Sequence, residues 1–184
     1  MNFAITFPAP EFARPFRDRA VIVAARHGAT LLETDGLRGQ EIRWNWTIDP
    51  RLSNEEISLF VVDLLELLAA LNVDLLEHSH RAGRPLPSVL DGAIRLADGA
   101  VARRIRYARE GGEGTGQEDL ANVWDIHRRG WADCDDLVGA VVAERFLAGE
   151  RCSPTVYYRS NGGIHAQVRL ASGRIVDPSR SLGM

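Results

Sequence analysis

Three side chains in the C-terminal third of the chain have the types and the order needed for thiol chemistry. Cys134, His165 and Asp177 follow one another with short gaps. A free thiol with a pKa of about 8.5 is mostly protonated at neutral pH, so a nucleophilic cysteine needs a nearby base, and that base needs a group that orients it. The order therefore predicts a thiol nucleophile, an imidazole base and an orienting carboxylate.

The residues around Cys134 predict the start of a helix. Apolar side chains between 137 and 147 recur with a helical period, and Gly149 is a favourable C-terminal stop. Asp133 can cap this helix, with Asp136 as its partner in a capping box. Cys134 would then lie in the first turn, where free backbone N–H groups favour a thiolate by about 0.3–1 kcal/mol and could hold an oxyanion.

The acidic residues around Cys134 act in the opposite direction. Asp133, Asp135 and Asp136 place negative charge beside the sulfur, which raises the pKa of the thiol. An imidazolium is therefore needed to stabilise the thiolate. We expect the three carboxylates to be helix-capping charges and predict no metal site.

Two strands are predicted after this helix, at 155–159 and 164–170. Apolar and polar residues alternate in the second strand, and His165 falls on its polar face. Ala171-Ser172-Gly173 then predicts a three-residue hairpin turn with the glycine in the left-handed conformation. The turn leads into a short strand that ends at Asp177, before Pro178.

The length of this turn sets the register of the hairpin. Three residues pair Leu170 with Arg174, which places His165 and Asp177 on one face as diagonal neighbours, roughly 7–8 Å apart between Cα atoms. A two-residue turn or a one-residue slip would put the two side chains on opposite faces. The register is therefore a test of the proposed triad.

The constellation resembles the transglutaminase-like branch of the papain-like cysteine enzymes. The matching segments are Asp-Cys-Asp-Asp-Leu (133–137), His165-Ala166 and Gly-Arg-Ile-Val-Asp-Pro-Ser (173–179). Acidic residues on both sides of the cysteine are similar to a bacterial and phage-associated subgroup, and Arg106-Tyr107 corresponds to an upstream Arg-Tyr segment of that subgroup. The resemblance covers about 103–180.

This resemblance implies an α+β fold with a transglutaminase-like core, in which the nucleophile helix packs on an antiparallel sheet behind an N-terminal β-meander and helices. It also implies a hydrolase or acyltransferase that acts on an amide or peptide bond through a thioester, with a protein or peptide as substrate. The wider fold uses a Gln or Trp side chain to hold the oxyanion. Gln117 and Trp131 are the candidates here, and Trp124 is a third.

Two other interpretations remain open. Arylamine N-acetyltransferases share the triad order and a pattern similar to the Arg-Arg-Gly-x-x-x-Cys of residues 128–134, although those chains are considerably longer. The second alternative is a catalytically silent structural or assembly protein of phage or bacterial origin, in which Cys134 is a buried structural thiol. Its homo-oligomer or assembly contacts would use an N-terminal arm at 1–18 or a helix at 53–71.

The chain is long enough for one globular domain, 1–184, with 45% hydrophobic and 26% charged residues. We divide it into a Pro- and Phe-rich arm at 1–18, strands and helices at 19–110, and a catalytic core at 111–184. Upstream, we expect strands at 20–25, 30–33 and 41–48 and helices at 53–71 and 88–109. Ser53 and Glu56 form a capping box at the start of the first helix. We also expect Trp44 and Trp46 to pack together, His78-Ser79-His80 to lie in a loop, and the Gly-rich residues 111–116 to form a flexible connection.

Charge and composition indicate which partners the protein binds and in which cellular compartment it lies. The net charge of −3 does not favour nucleic acid, and no apolar run is long enough to span a membrane. Every basic residue is arginine, which suggests a GC-rich bacterial or phage genome. Two cysteines are too few for a disulfide framework, so we expect both thiols to be reduced in a cytoplasmic protein. No motif calls for a cofactor.

Overall fold

The computed structural model describes residues 1–35, 40–91, 93–95, 101–109, 117–159 and 163–184, without the side chains of 93–95, 101–104 and 117. These residues form an α+β fold. The helices are α1 (Pro10–Ala13), α2 (Arg17–Arg26), α3 (Asn54–Arg81), α4 (Val123–Arg129), α5 (Cys134–Leu147) and α6 (Pro178–Ser181). The strands are β1 (Asn2–Phe7), β2 (Thr30–Asp35), β3 (Ile42–Thr47), β4 (Ala93–Arg95), β5 (Val101–Arg104), β6 (Arg106–Tyr107), β7 (Gln117–Leu120), β8 (Trp131–Ala132), β9 (Cys152–Tyr158), β10 (Ile164–Leu170) and β11 (Ile175–Val176).

The largest sheet has the order β2-β3-β1-β7. β1 is antiparallel to β3 and parallel to β7. Phe3, Ile5 and Phe7 are buried in the core. The prediction of an N-terminal arm is therefore wrong for this segment, because alternate apolar side chains build it into the middle of the sheet.

The expected β-meander contains one helix. β2 and β3 form the predicted antiparallel pair, and the rings of Trp44 and Trp46 lie in the core with centroids 6.1 Å apart. The strand predicted at 20–25 belongs to α2 instead, with Ala20 and Val23 buried on one face. Burial three residues apart suits a helix, and it outweighs the β-branched composition of this segment.

The long helix α3 begins at the predicted capping box of Ser53 and Glu56. It continues to Arg81, so His78-Ser79-His80 lies in its last turns and the loop prediction is wrong there. The apolar stripe that we considered for partner binding is mostly buried inside this chain, where α3 packs against α5 and β9. Among the described residues, no helix is long and apolar enough to cross a membrane.

The predicted helix at 88–109 is wrong. The described part of this segment contains β4 and β5, which are antiparallel, and β6, which is parallel to β8. The sequence signal that we missed is the dipeptide Asp98-Gly99, a type of dipeptide that favours a β-hairpin. The Gly-rich connection at 111–116 lies outside the described residues.

The second sheet, β11-β10-β9, carries the expected His and leads to the expected Asp, and α5 packs against β9 and β10. At a coarse level, this agrees with the predicted α+β arrangement of a helix on an antiparallel sheet. β7, from the part assigned to the catalytic core, completes the sheet of the N-terminal part.

Candidate active site

Cys134 is the first residue of α5, as predicted. Asp133 is the N-cap, and its Oδ1 accepts a hydrogen bond from the backbone N–H of Asp136 at 3.4 Å. The Asp136 carboxylate accepts the N–H of Asp133 at 3.3 Å, which completes the capping box. The sulfur therefore stands at the N-terminal end of a 14-residue helix, where the dipole favours negative charge.

Asp136 is fully buried and has a structural role. It accepts a hydrogen bond from the N–H of Ala121 at 2.6 Å and pairs with the guanidinium of Arg129. These contacts tie the start of α5 to the segment after β7 and to the end of α4. The Arg129 charge offsets the Asp136 charge, so this carboxylate does not act on the thiol as a lone anion.

The hairpin has the predicted register. The N–H of Leu170 donates to the carbonyl of Arg174 at 2.9 Å, and Gly173 closes the turn with φ of 81°. His165 is fully buried, and its Nε2 lies 2.9 Å from Oδ2 of Asp177. The structure thus brings together two of the three predicted residues as diagonal neighbours on one face.

Asp177 joins the hairpin to α6 as well as to His165. Its Oδ1 accepts the N–H of Ser179 at 3.1 Å as the N-cap of α6, and Gln167 donates to Oδ2 at 3.4 Å. Burial pushes the pKa of Asp177 up, but the hydrogen bonds from His165, Gln167 and Ser179 outweigh it and hold that pKa below its usual value. The carboxylate is therefore ionised and fixed in place.

The thiol of Cys134 is not activated in this conformation. Burial, followed by the negative charge of Asp135, raises the pKa of Cys134 to about 12. The backbone of Ala166 and the charge of Arg159 act in the opposite direction and lower this pKa. The sulfur therefore lies beside β10, close to the backbone of Ala166, the residue that follows His165. Among the described residues, no hydrogen bond joins the sulfur to the His165 ring.

Arg159 contacts the imidazole nitrogen that is turned away from Asp177. Its Nη2 lies 2.6 Å from Nδ1 of His165. A guanidinium only donates hydrogen bonds, so Nδ1 must carry the lone pair and the ring proton must be on Nε2, facing Asp177. Arg159 was not predicted from the sequence, because a single arginine after a strand has no distinguishing pattern. The edge-on packing of Tyr157 against the same ring was also missed.

The three candidates for the oxyanion side chain differ in their surroundings. Trp124 donates its Nε1–H to Oγ of Ser79 at 2.9 Å, so this indole is already used in the packing of α4 on α3. Trp131 lies on β8, with the guanidinium of Arg129 at 3.7 Å over its ring. The side chain of Gln117 lies outside the described residues. The backbone N–H groups at the start of α5 remain the predicted oxyanion donors.

Glu118, Asp133 and Asp135 form an acidic cluster beside Cys134. Their ligand oxygens lie within 4.8 Å of one another, a spacing that could hold a metal ion. Burial, and then the charges of Asp135 and Asp136, raise the pKa of Asp133 well above its usual value. A proton on Asp133 relieves the same repulsion that a cation would, so the cluster does not require a metal.

Comparisons with protein-family models, with curated proteins and with solved structures gave no match. The interpretation of the site therefore rests on its own residues. These are a thiol at a helix start, an imidazole held by a carboxylate, and a guanidinium at the imidazole's second nitrogen.

Proposed function

We propose that the protein is a thiol-dependent hydrolase or acyltransferase of the transglutaminase-like type, acting on an amide or peptide bond of a protein or peptide substrate. The observation that carries the proposal is the 2.9 Å contact between Nε2 of His165 and Asp177. This contact leaves Nδ1 as the basic nitrogen, on a strand that packs against the helix beginning at Cys134. Both cysteines are free, which fits a reducing, cytoplasmic setting.

In the proposed reaction the His165 Nδ1 takes the proton of the Cys134 thiol as the sulfur attacks the carbonyl carbon. The backbone N–H groups at the start of α5 hold the oxyanion. The imidazolium then returns the proton to the leaving amine, and the acyl group remains on sulfur as a thioester. Water or a second amine attacks the thioester and frees the thiol. Asp177 keeps the imidazole in the required tautomer throughout.

A catalytically silent structural or assembly protein of bacterial or phage origin is the second candidate. Two observations favour it: the pKa of Cys134 is raised to about 12, and Arg159 occupies Nδ1 of His165. A thiol in that state reacts slowly, because only the thiolate is a nucleophile. The two candidates therefore differ in whether His165 can activate Cys134 in solution.

Alkylation with iodoacetamide and, separately, with iodoacetate between pH 5 and 9 distinguishes these candidates, with the adducts located by peptide mass mapping. If His165 is a working base, Cys134 reacts at pH 6–7 faster than Cys152, and His165→Gln removes the advantage. Cys152 is a suitable reference because it is also partly buried and free.

The catalytic proposal fails if Cys134 reacts more slowly than Cys152 with iodoacetamide and with iodoacetate across this range, and His165→Gln leaves the rates of both reagents unchanged. A matched control is Arg169→Gln, a substitution at an exposed position of the same strand. This variant should leave both rates unchanged, which shows that altering β10 does not by itself affect the thiol.

A further inference from the structure

Arg159 is a cation without an anionic partner in the part of the chain that the structure describes. Its guanidinium contacts Nδ1 of His165 at 2.6 Å and Sδ of Met184 at 3.2 Å, and both of these partners are neutral acceptors. The side chain is half-buried. A guanidinium carries five N–H donors in a planar fork that suits a carboxylate, so two neutral single-atom contacts use little of its capacity.

The position of this guanidinium conflicts with proton transfer. Nδ1 of His165 accepts the hydrogen bond from Arg159, and the same lone pair would have to accept the proton of Cys134. A nitrogen lone pair cannot do both at once. An imidazolium facing a guanidinium would also place two positive charges in contact. Arg159 must therefore leave Nδ1 before His165 can act as a base.

A carboxylate on the substrate is the group best suited to draw Arg159 away. Charge-assisted, bidentate pairs between arginine and carboxylate are stronger than a single bond to a neutral acceptor. We propose that the site takes acyl substrates with a carboxylate close to the reacting carbonyl, and that this carboxylate binds Arg159 and releases Nδ1 of His165. The proposal rests on the function proposed above and assigns a substrate class to the same site.

The charges around Cys134 define which way such a substrate would enter. Asp135, in the first turn of α5, lies on the helix side of the sulfur and repels an anion, as its effect on the thiol shows. Arg159 lies on the strand side, against His165 in β10. A substrate carboxylate would thus lie toward β10, with the rest of the substrate crossing the sulfur toward α5.

Iodoacetate and iodoacetamide test this proposal directly, because they alkylate a thiolate in the same way and differ in one carboxylate. The measured quantity is the ratio of the iodoacetate rate to the iodoacetamide rate at Cys134, with the ratio at Cys152 as internal reference. Cys152 is near the mutually paired Arg145 and Glu150, whose opposite charges act on its thiol in opposite directions. The ratio at Cys152 should therefore be close to the ratio of a thiol with no charged group nearby.

We expect the ratio at Cys134 to exceed the ratio at Cys152 by about tenfold, the effect of one unit charge a few ångströms away in a partly solvated site. Arg159→Gln should reduce it to the Cys152 value or below, because glutamine keeps a donor for Nδ1 but has no charge, while Asp135 still repels an anion. The control Arg169→Gln, an exposed arginine on β10, should leave the ratio unchanged. Equal ratios in the wild type and Arg159→Gln, or a wild-type ratio below that of Cys152, would overturn the proposal.

A third variant separates this outcome from failure of the proposed function. His165→Gln should slow both reagents at Cys134 if His165 is the base, while the preference for iodoacetate remains because Arg159 is still present. A preference that persists with unchanged rates in His165→Gln therefore rejects the catalytic proposal and keeps Arg159 as an anion-binding residue. Slower rates without any preference reject the role of Arg159 and keep the base.

Discussion

At the scale of single residues, the two aspartates of the capping box have different electrostatic roles. Asp136 is fully buried but has Arg129 as a counter-ion, together with backbone donors. Asp133 is buried without such a counter-ion among the described residues, and its pKa is raised by burial and by the charges of Asp135 and Asp136. The charge of Asp133 is thus a cost to the folded state, although its oxygen caps the helix.

Replacing Asp133 with asparagine should separate the cap from the charge. Because the pKa of Asp133 is raised in the folded protein, the folded state holds this proton to a higher pH than the unfolded chain, whose aspartates titrate near pH 3.9. Below about pH 3.9 both states hold the proton and Asp133 does not destabilise the fold. The free energy of unfolding then falls as the pH rises toward the pKa of Asp133 in the folded protein. Asp133→Asn removes this loss and keeps a capping oxygen.

We therefore expect Asp133→Asn and wild type to have similar stability near pH 4, and the variant to be more stable at pH 7 by on the order of 1–2 kcal/mol. Urea unfolding at a series of pH values measures the difference. Asp133→Ala is the control for the cap, because it also loses the charge but should be about 1 kcal/mol less stable than Asp133→Asn at every pH. Parallel pH profiles for Asp133→Asn and wild type would contradict the raised pKa.

The sequence alone located much of the candidate site at this scale. Cys134, His165 and Asp177 were recognisable because each belongs to a local pattern: a helix start, an alternating strand and the end of a hairpin. Arg159 and Tyr157 were not, because their contacts with His165 depend on where β9 ends and β10 begins in space. Such contacts between strands leave no periodic signal in the sequence.

At the scale of elements, α3 and α5 pack closely against each other at a glycine. At Gly139 in α5, an added Cβ would lie 2.5 Å from Cδ2 and 2.8 Å from Cγ of Leu68 in α3. This glycine has an ordinary helical conformation, so its role is to allow the two helices to approach. The approach holds α5, and with it Cys134, against the long helix.

Gly139→Ala should therefore destabilise the protein even though alanine is the better helix former by about 1 kcal/mol. We expect a net loss of roughly 1–3 kcal/mol from overpacking, measured by urea unfolding. The matched test is a double-mutant cycle with Leu68→Ala, which removes the atoms that an alanine Cβ would meet. The cost of Gly139→Ala should largely disappear in the Leu68→Ala background; an unchanged cost would place its origin elsewhere.

Elements were predicted best where a turn or a cap specifies them. The three-residue turn ending at Gly173 set the β10–β11 register, and Asp133 and Ser53 marked the starts of α5 and α3. The segment at 20–25 was predicted wrongly because its β-branched composition was given more weight than its periodicity. The helix at 88–109 was predicted wrongly because its spaced apolar residues were taken for a helical period. Tertiary packing, which places only one face of α2 against the core, decides such cases.

At the scale of the whole molecule, β1, from the segment expected to be an arm, links the other two parts into which the sequence had been divided. It pairs with β3 on one side and with β7 on the other. The Asn122 side chain, just after β7, also donates a hydrogen bond to the carbonyl of Thr6 at 2.9 Å. These contacts could not be predicted from the sequence, because the parallel partner of a strand is set by distant topology and not by local pattern.

Ile5→Ala tests whether β1 is part of the core. Ile5 is 0% exposed, so the cavity left by the substitution should lower the free energy of unfolding by about 2–5 kcal/mol. Leu32→Ala on β2, where the leucine is 59% exposed, should change it by no more than about 0.5 kcal/mol. Equal small effects in urea unfolding would support an arm instead of a central strand.

The parallel pairing of β1 with β7 also affects how the protein is made. The ribosome completes β1 more than a hundred residues before β7, a delay on the order of ten seconds at roughly 5–20 residues per second. During this time β1 can pair with β3, but its other edge stays open, and an open edge rich in Phe and Ile is a site for aggregation. The yield of folded protein in cells should therefore fall when translation pauses between these strands.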